Sequence, residues 1–262
     1  MSVPALERGV SILRMFRRDR ASIAAPEIAT ELGLARSSVH SLLNALVDLG
    51  LLRRLPNGRF ALDAGVLTLG FEYLGSLAIT DLASSILERL RDQTDWSSHL
   101  AVRQGRSIVY LSRFASRQAI TRNVAVGTSL PAHSTVMGRI LLSDLEPTAL
   151  RALYAEEWDN LIESRRATSF ADFMAMLRAD RERGYAASNG FHEPGVGVVA
   201  APVRDASLQI VAAINAVAVG DHGSGMEQAT SHVLAAAREL SRLLGAPATM
   251  PEAGDTLLER QI

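Results

Sequence analysis

Six hydrogen-bonding side chains, Arg36, Ser37, Ser38, His40, Ser41 and Asn44, fall on one side of a segment whose apolar residues keep to the other. Val39, Leu42, Leu43, Leu46 and Val47 recur at i, i+3, i+4, i+7 and i+8, the inward stripe of an amphipathic helix. The outward set is short and rich in donors and acceptors. Such a surface suits a helix lying in a duplex groove about 12 Å wide, where it meets base edges. A second set follows on either side of Pro56-Asn57-Gly58: Arg53, Arg54 and Arg59. Guanidinium groups placed beside a groove neutralise phosphates.

These residues need a frame to hold them. Pro26 suits the first turn of a helix, Ile28 and Leu32 share one face of it, and Gly33 ends it. An earlier helix is predicted over residues 5–18, with Leu6, Val10, Leu13 and Phe16 inward. Gly50 closes the groove-facing helix, and two short apolar strands around the Asn57-Gly58 turn make a hairpin. Together residues 1–62 read as a winged helix-turn-helix. Units of this pattern also serve protein contacts, and charge decides between the two uses. Residues 1–62 carry nine Arg against five Asp and Glu, net +4, whereas the rest carries 18 against 23, net −5. A basic head on an acidic body is the asymmetry of a DNA-binding module joined to a second domain.

At 262 residues the chain has ample material for that second core. No segment approaches the run of about 18 apolar residues of a membrane span. The early arginines Arg8, Arg14, Arg17 and Arg18 sit within an amphipathic pattern rather than ahead of an apolar run, so no membrane partner and a cytoplasmic location are expected. Cysteine is absent, which removes disulfides, thiolate nucleophiles and the usual structural zinc sites. The six His lack metal-type spacing, so neither metal nor cofactor is expected. All 27 basic residues are Arg; this fits a coding bias and carries no functional weight.

Residues 63–76 read as a linker helix too apolar for solvent. Val66, Leu67, Leu69 and Phe71 point to packing on a second subunit, and burial within its own chain is the alternative. A helix carrying Ile79, Leu82, Ala83, Ile86, Leu87 and Leu90 follows. Strands are then predicted over 98–103 and 107–113 around Gln104-Gly105-Arg106, and a helix opening at His133 or its neighbours. Further on come a helix over 170–183 capped by Gly184, strands over 196–203 and 208–219, and a helix over 226–244. Hairpins mixed with helices, without strict βα alternation, indicate an α+β domain over 77–247. Residues 248–262, with Pro251 and Gly254, read as a loose tail.

With these segments assembled, the chain from about residue 4 to 245 resembles the IclR family of bacterial transcription regulators. The resemblance is carried by Leu6-Glu7-Arg8-Gly9-Val10, Ala35-Arg36-Ser37-Ser38-Val39-His40 and Asn57-Gly58-Arg59-Phe60 in the head. In the body it is carried by 126–133, Met137-Gly138-Arg139, Arg183-Gly184-Tyr185 and 199–203. Two positions depart from the family pattern: Ser41 stands where members often have Arg, and Gly197-Val198 where Arg and Cys are common. The resemblance implies a homodimer or dimer of dimers on double-stranded operator DNA. It also implies a GAF-like C-terminal domain that binds a small organic effector, with carboxylic or aromatic acids favoured.

Carried over by motif, the effector site would comprise His133, Thr135, Val136 and Met137, with Asn215 on the opposite strand. Helix-start N–H groups favour a carboxylate, so a small acid would sit there without Lys or Arg. Trp96 and His99 are lesser candidates. An enzyme is not expected, because His133 and Ser134 are merely adjacent and no nucleophile elbow is present. Gly195-Val196-Gly197-Val198-Val199-Ala200 mimics a dinucleotide fingerprint, yet no apolar strand precedes it. The remaining rival is an architectural DNA-binding protein whose second domain only oligomerises.

Overall fold

The computed structural model describes residues 3–116, 124–154, 158, 167, 169–190, 195–219 and 225–247. Two compact units divide at residues 76 and 77. The tail expected over 248–262 lies outside the described residues.

The first unit holds α1 (Pro4–Arg14), α2 (Ala25–Leu32), α3 (Arg36–Asp48), β1 (Leu52–Arg54), β2 (Phe60–Leu62) and α4 (Gly65–Gly75). Pro occupies the opening turn of both α1 and α2, where its missing N–H costs nothing. Gly33, at φ 63°, closes α2 in the left-handed region, and the chain re-enters a helix within three residues. The core gathers Ile12, Met15 and Phe16 with Ile23, Ile28, Val39, Leu43, Leu46, Leu52 and Phe60. Each fully buried aliphatic among them contributes about 1.5–3 kcal/mol.

Two expectations need correction here. The first helix ends at Arg14, and its inward residues are Gly9 and Ile12, with Met15 and Phe16 just beyond its end. Leu6 and Val10 face outward, because packing on α3 selects the neighbouring stripe. The segment after α1 instead turns through an Arg17–Arg20 bridge and pairs Ile23 with Phe60, adding a backbone bridge to the wing hairpin. In α4 no residue is buried, and Leu67, Leu69 and Phe71 are exposed. Within its own unit α4 is therefore not sunk into the core.

The second unit contains α5 (Ala78–Thr94), β3 (Ser97–Gln104), β4 (Ser107–Phe114), β5 (Ser129–Pro131), a 3-10 turn (Ala132–Ser134) and α6 (Val136–Leu142). It continues with α7 (Pro147–Tyr154), α8 (Phe170–Arg183), β6 (Ala186–Asn189), β7 (Val196–Arg204), β8 (Ile210–Val219) and α9 (Gly225–Leu243). The strands form one antiparallel sheet in the order β5-β4-β3-β8-β7-β6. The α+β expectation holds.

Alternation along the strands sorts the residues by face. Ala101, Ala200 and Ala213 share a core cluster with Val136, Met137 and Ile140, which defines the α6 side. Their neighbours Leu100, Ala201 and Ile214 point the other way, where α5 packs on β3 and α9 on β7. Ser98 Oγ donates to the Leu87 carbonyl of α5 at 2.6 Å on that face.

A buried ion pair fastens α6 to α8. Arg139 Nε and Nη2 donate to the two Asp180 carboxylate oxygens at 2.7 and 2.6 Å, in the bidentate geometry that makes such pairs strong. Arg183 adds a third contact from the helix end. Arg204 of β7 likewise reaches Asp144 at 2.6 Å, just past α6.

Candidate functional site

In the first unit α3 presents Arg36, Ser37, His40, Ser41 and Asn44 at the surface, with Ser38 half-buried. The inward stripe Val39, Leu43 and Leu46 is what aims them outward. Ser41 Oγ donates back to the Ser37 carbonyl at 3.1 Å, so its hydroxyl is partly engaged within the helix. Asn44 Oδ1 accepts from Arg54 Nη2 of β1, a link from recognition helix to wing. The Arg54 guanidinium also lies over the Phe60 ring, 5.3 Å from its centroid. Arg53 is exposed on the same strand.

The wing tip follows its sequence. Gly58 adopts φ 75°, its N–H meets the Leu55 carbonyl at 3.0 Å, and Asn57 Oδ1 accepts from Arg59 N–H at 3.2 Å. The Arg59 side chain does not stand free beside the tip. Nε donates to Ser22 Oγ at 3.0 Å, Nη2 to the Ser22 carbonyl at 2.8 Å, and Nη1 to Glu27 Oε1 at 2.7 Å. The guanidinium expected to neutralise phosphate is directed into its own unit. Arg59 beside it holds the Glu27 carboxyl below the usual carboxylate range, with Arg20 adding to the effect.

The second unit places the five residues expected to hold an effector on the 3-10 turn, α6 and β8. His133 sits in the 3-10 turn, buried, its ring edge-on to Tyr154 at 5.8 Å. Burial lowers its pKa and the Arg106 charge lowers it further, favouring the neutral ring. Thr135 is the N-cap of α6, whose Oγ1 accepts from Gly138 N–H at 3.0 Å. Val136 and Met137 are buried in the core cluster. The 3-10 turn over Ala132–Ser134 leads into α6 at Val136, and the first turn of that helix is already covered by protein groups. A Cβ on Gly138 would meet the Ala132 carbonyl oxygen at 1.9 Å. An anion seated on that helix start would compete with the chain's own cap.

Asn215 lies on the α6 side of β8, two residues from Ala213, and is the register partner of both His99 and Ala200. Its Oδ1 lies 2.9 Å from His99 Nδ1, so the neutral ring carries its proton there. Burial pushes the His99 pKa down to about 4. Asn215 is thus first a structural partner, and His99 is drawn into the region through it.

The head matches the IclR helix-turn-helix domain over residues 5–56. The body matches the bacterial transcriptional regulator IclR C-terminal domain over residues 71–242. The chain belongs to the IclR family. Among similar proteins, the HTH-type transcriptional regulator XynR of Escherichia coli is 29% identical over 94% of this chain and 99% of its own. The Pca regulon regulatory protein of Pseudomonas putida is 31% identical over 80% and 72% respectively. An IclR homolog from Microbacterium hydrocarbonoxydans, solved with 4-hydroxybenzoate, shares the fold at TM-score 0.77 and 23% identity, covering 92% of this chain and 98% of that one. The family consists of transcriptional regulators, and its DNA-binding head is the one built here.

Against that IclR frame, sequence reasoning missed an aromatic group around His133. Tyr154, Trp158, Phe170 and Phe173 make successive ring contacts at 4.9 to 6.3 Å, and Arg106 lies over Tyr154 at 5.3 Å. Tyr154 ends α7 and Phe170 opens α8, so their meeting depends on helix packing and leaves no local signal. Only the Gln104-Gly105-Arg106 turn gave a hint, as the hairpin that delivers Arg106.

Proposed function

We propose that this IclR-family regulator binds operator DNA as a homodimer or dimer of dimers in the cytoplasm and adjusts that binding to a small organic acid. Arg36, Ser37, Ser38, His40, Ser41 and Asn44 would meet the groove, with Arg53, Arg54 and Asn57 beside the backbone. The observation that carries this is the outward polar face of α3 next to a basic wing. The exposed apolar face of α4, Leu67, Leu69 and Phe71, supports pairing through that helix. Two recognition helices so joined would meet half-sites about 34–36 Å apart or a multiple of that.

The effector site belongs to the α6 side of the sheet. His133 and Asn215 are the polar groups of the expected set on that side, and Val136 and Met137 form the apolar floor beneath, with Thr135 holding the turn. Arg106, over Tyr154, offers the cation that an acid would seek. The neighbouring fold solved with 4-hydroxybenzoate supplies one ligand of this chemical class. Thermal denaturation against aliphatic and aromatic carboxylates, 4-hydroxybenzoate included, tests the reading. A ligand at a hundred times its Kd raises stability by about 2.7 kcal/mol. A panel with no selective shift would favour an architectural role.

A further inference from the structure

We propose that Arg59 serves DNA binding as a positioning residue, clamping the wing to the start of α2 through Ser22 and Glu27, rather than as a phosphate ligand. The inference rests on the DNA-binding reading of the head and concerns how that head is held. An arginine side chain has five N–H donors in a fixed fork. Four of the bonds this fork makes run to Ser22 Oγ, the Ser22 carbonyl and both oxygens of Glu27. The side chain is about one-third exposed, with its fork turned toward α2. Bidentate phosphate capture by the fork would require breaking some of these bonds in exchange, with the second anion competing with Glu27.

The clamp sits where it controls the wing. Ile23 and Phe60 exchange backbone bonds at 2.9 and 2.8 Å, each one residue beyond the clamped pair Ser22 and Arg59. Phe60 is the register partner of Arg54, and Ala61 that of Arg53. Any shift of β2 against α2 therefore moves both arginines that face the groove. Glu27 is also 3.6 Å from Arg20, which binds Glu31 at 2.6 Å, so the clamp extends into the turn before α2. The carboxylate is thus the hub, and it carries the wrong sign for a surface that meets phosphate. Its presence there is explained by what it holds.

That sign gives a decisive test. Affinity of the full-length protein for a non-specific DNA duplex of about 30 base pairs is measured by fluorescence anisotropy across salt concentrations, for the parent, Glu27→Gln, Glu27→Ala, Arg59→Gln and the double variant Glu27→Ala/Arg59→Gln. A positioning role predicts that Glu27→Ala weakens binding roughly threefold to tenfold although it removes a negative charge. It predicts the same loss for Arg59→Gln, no further loss in the double variant, and a salt slope equal to the parent's. A phosphate role predicts the reverse: tighter binding and a steeper slope for Glu27→Ala, and a slope shallower by about one for Arg59→Gln. Amide exchange gives a readout without DNA. The clamp predicts faster exchange at Ile23 and Phe60 with Val39 and Leu43 unchanged; unchanged protection at Phe60 in Glu27→Ala would overturn it. If Glu27→Ala loses protection at Leu43 as well, the isosteric Glu27→Gln carries both comparisons. A parent chain that binds no duplex at all would strike the DNA-binding reading itself, an outcome separate from these.

Discussion

His99 and Asn215 face each other across β3 and β8, with Nδ1 and Oδ1 2.9 Å apart inside the sheet's α6 side. Neither residue is near the other in sequence, yet each satisfies a polar group that the apolar strands around it would leave stranded. Removing the amide by Asn215→Ala strips His99 of this bond in a buried site, at a cost of about 1–3 kcal/mol. Denaturant unfolding should record that loss. If Asn215→Ala unfolds at the parent's midpoint, the pair contributes nothing and the amide is free for another role.

Burial of His99 sets a pH dependence, which the Asn215 bond partly offsets. The folded chain holds His99 near pKa 4, whereas an unfolded histidine titrates near 6.5. A depressed folded pKa means stability is complete above about pH 6.5 and falls as pH drops toward 4, because the unfolded chain takes the proton first. The contribution at stake is on the order of 3 kcal/mol. His99→Gln should flatten the stability profile between pH 6.5 and 4 relative to the parent. Parallel profiles for the two proteins would show that the ring titrates normally.

The buried Arg139–Asp180 pair should behave as a lock between α6 and α8. Truncation by Arg139→Ala leaves Asp180, among the described residues, with the Arg183 contact in a buried site, and costs about 3–5 kcal/mol. Urea denaturation measures it directly. A cost below about 1 kcal/mol would mean that Arg183 alone compensates the carboxylate.

Much of this molecule is legible from its sequence, for stated reasons. The stripe Val39 to Val47 gives α3 because the pattern is long and unambiguous, and Gly58 gives the wing because only the turn explains it. In α1 the sequence offers two stripes, Leu6-Val10-Leu13 and Gly9-Ile12-Phe16, both at helical spacing. Packing on α3 chooses the second, and no local feature says so. Strand β6, Ala186–Asn189, has little apolar content and sits at a sheet edge, while β5 is only three residues long. The candidate sites were legible in part for the same reason. Residue types at α3 suffice to name a groove-facing surface, whereas Arg59 with Glu27 and His99 with Asn215 are partners joined only by tertiary structure.

The face of α4 provides a test of assembly. Leu69 is 65% exposed in the single chain, so Leu69→Glu should leave helical content and the folding of each unit unchanged. Sedimentation velocity should then report monomers where the parent sediments as a dimer or larger. A variant that keeps the parent's mass would remove α4 from the interface.

Phosphate neutralisation should follow exposure. Arg53 stands exposed on β1, so Arg53→Ala should weaken binding to all duplexes alike and lower the salt slope by about one. An unchanged slope would take Arg53 out of the contact.

The central claim is that the exposed polar face of α3 reads base edges for an IclR-family regulator. Selection from a random duplex library, run in parallel on the parent and on His40→Ala, tests it most directly. The parent should enrich a paired half-site motif with centres about 34–36 Å apart or a multiple of that. The variant should enrich the same spacing with relaxed preference at a base position in each half-site, a change of about 1–3 kcal/mol there. Identical motifs from the two proteins would contradict the assignment of His40, and no enriched motif from the parent would contradict sequence-specific reading by α3 altogether.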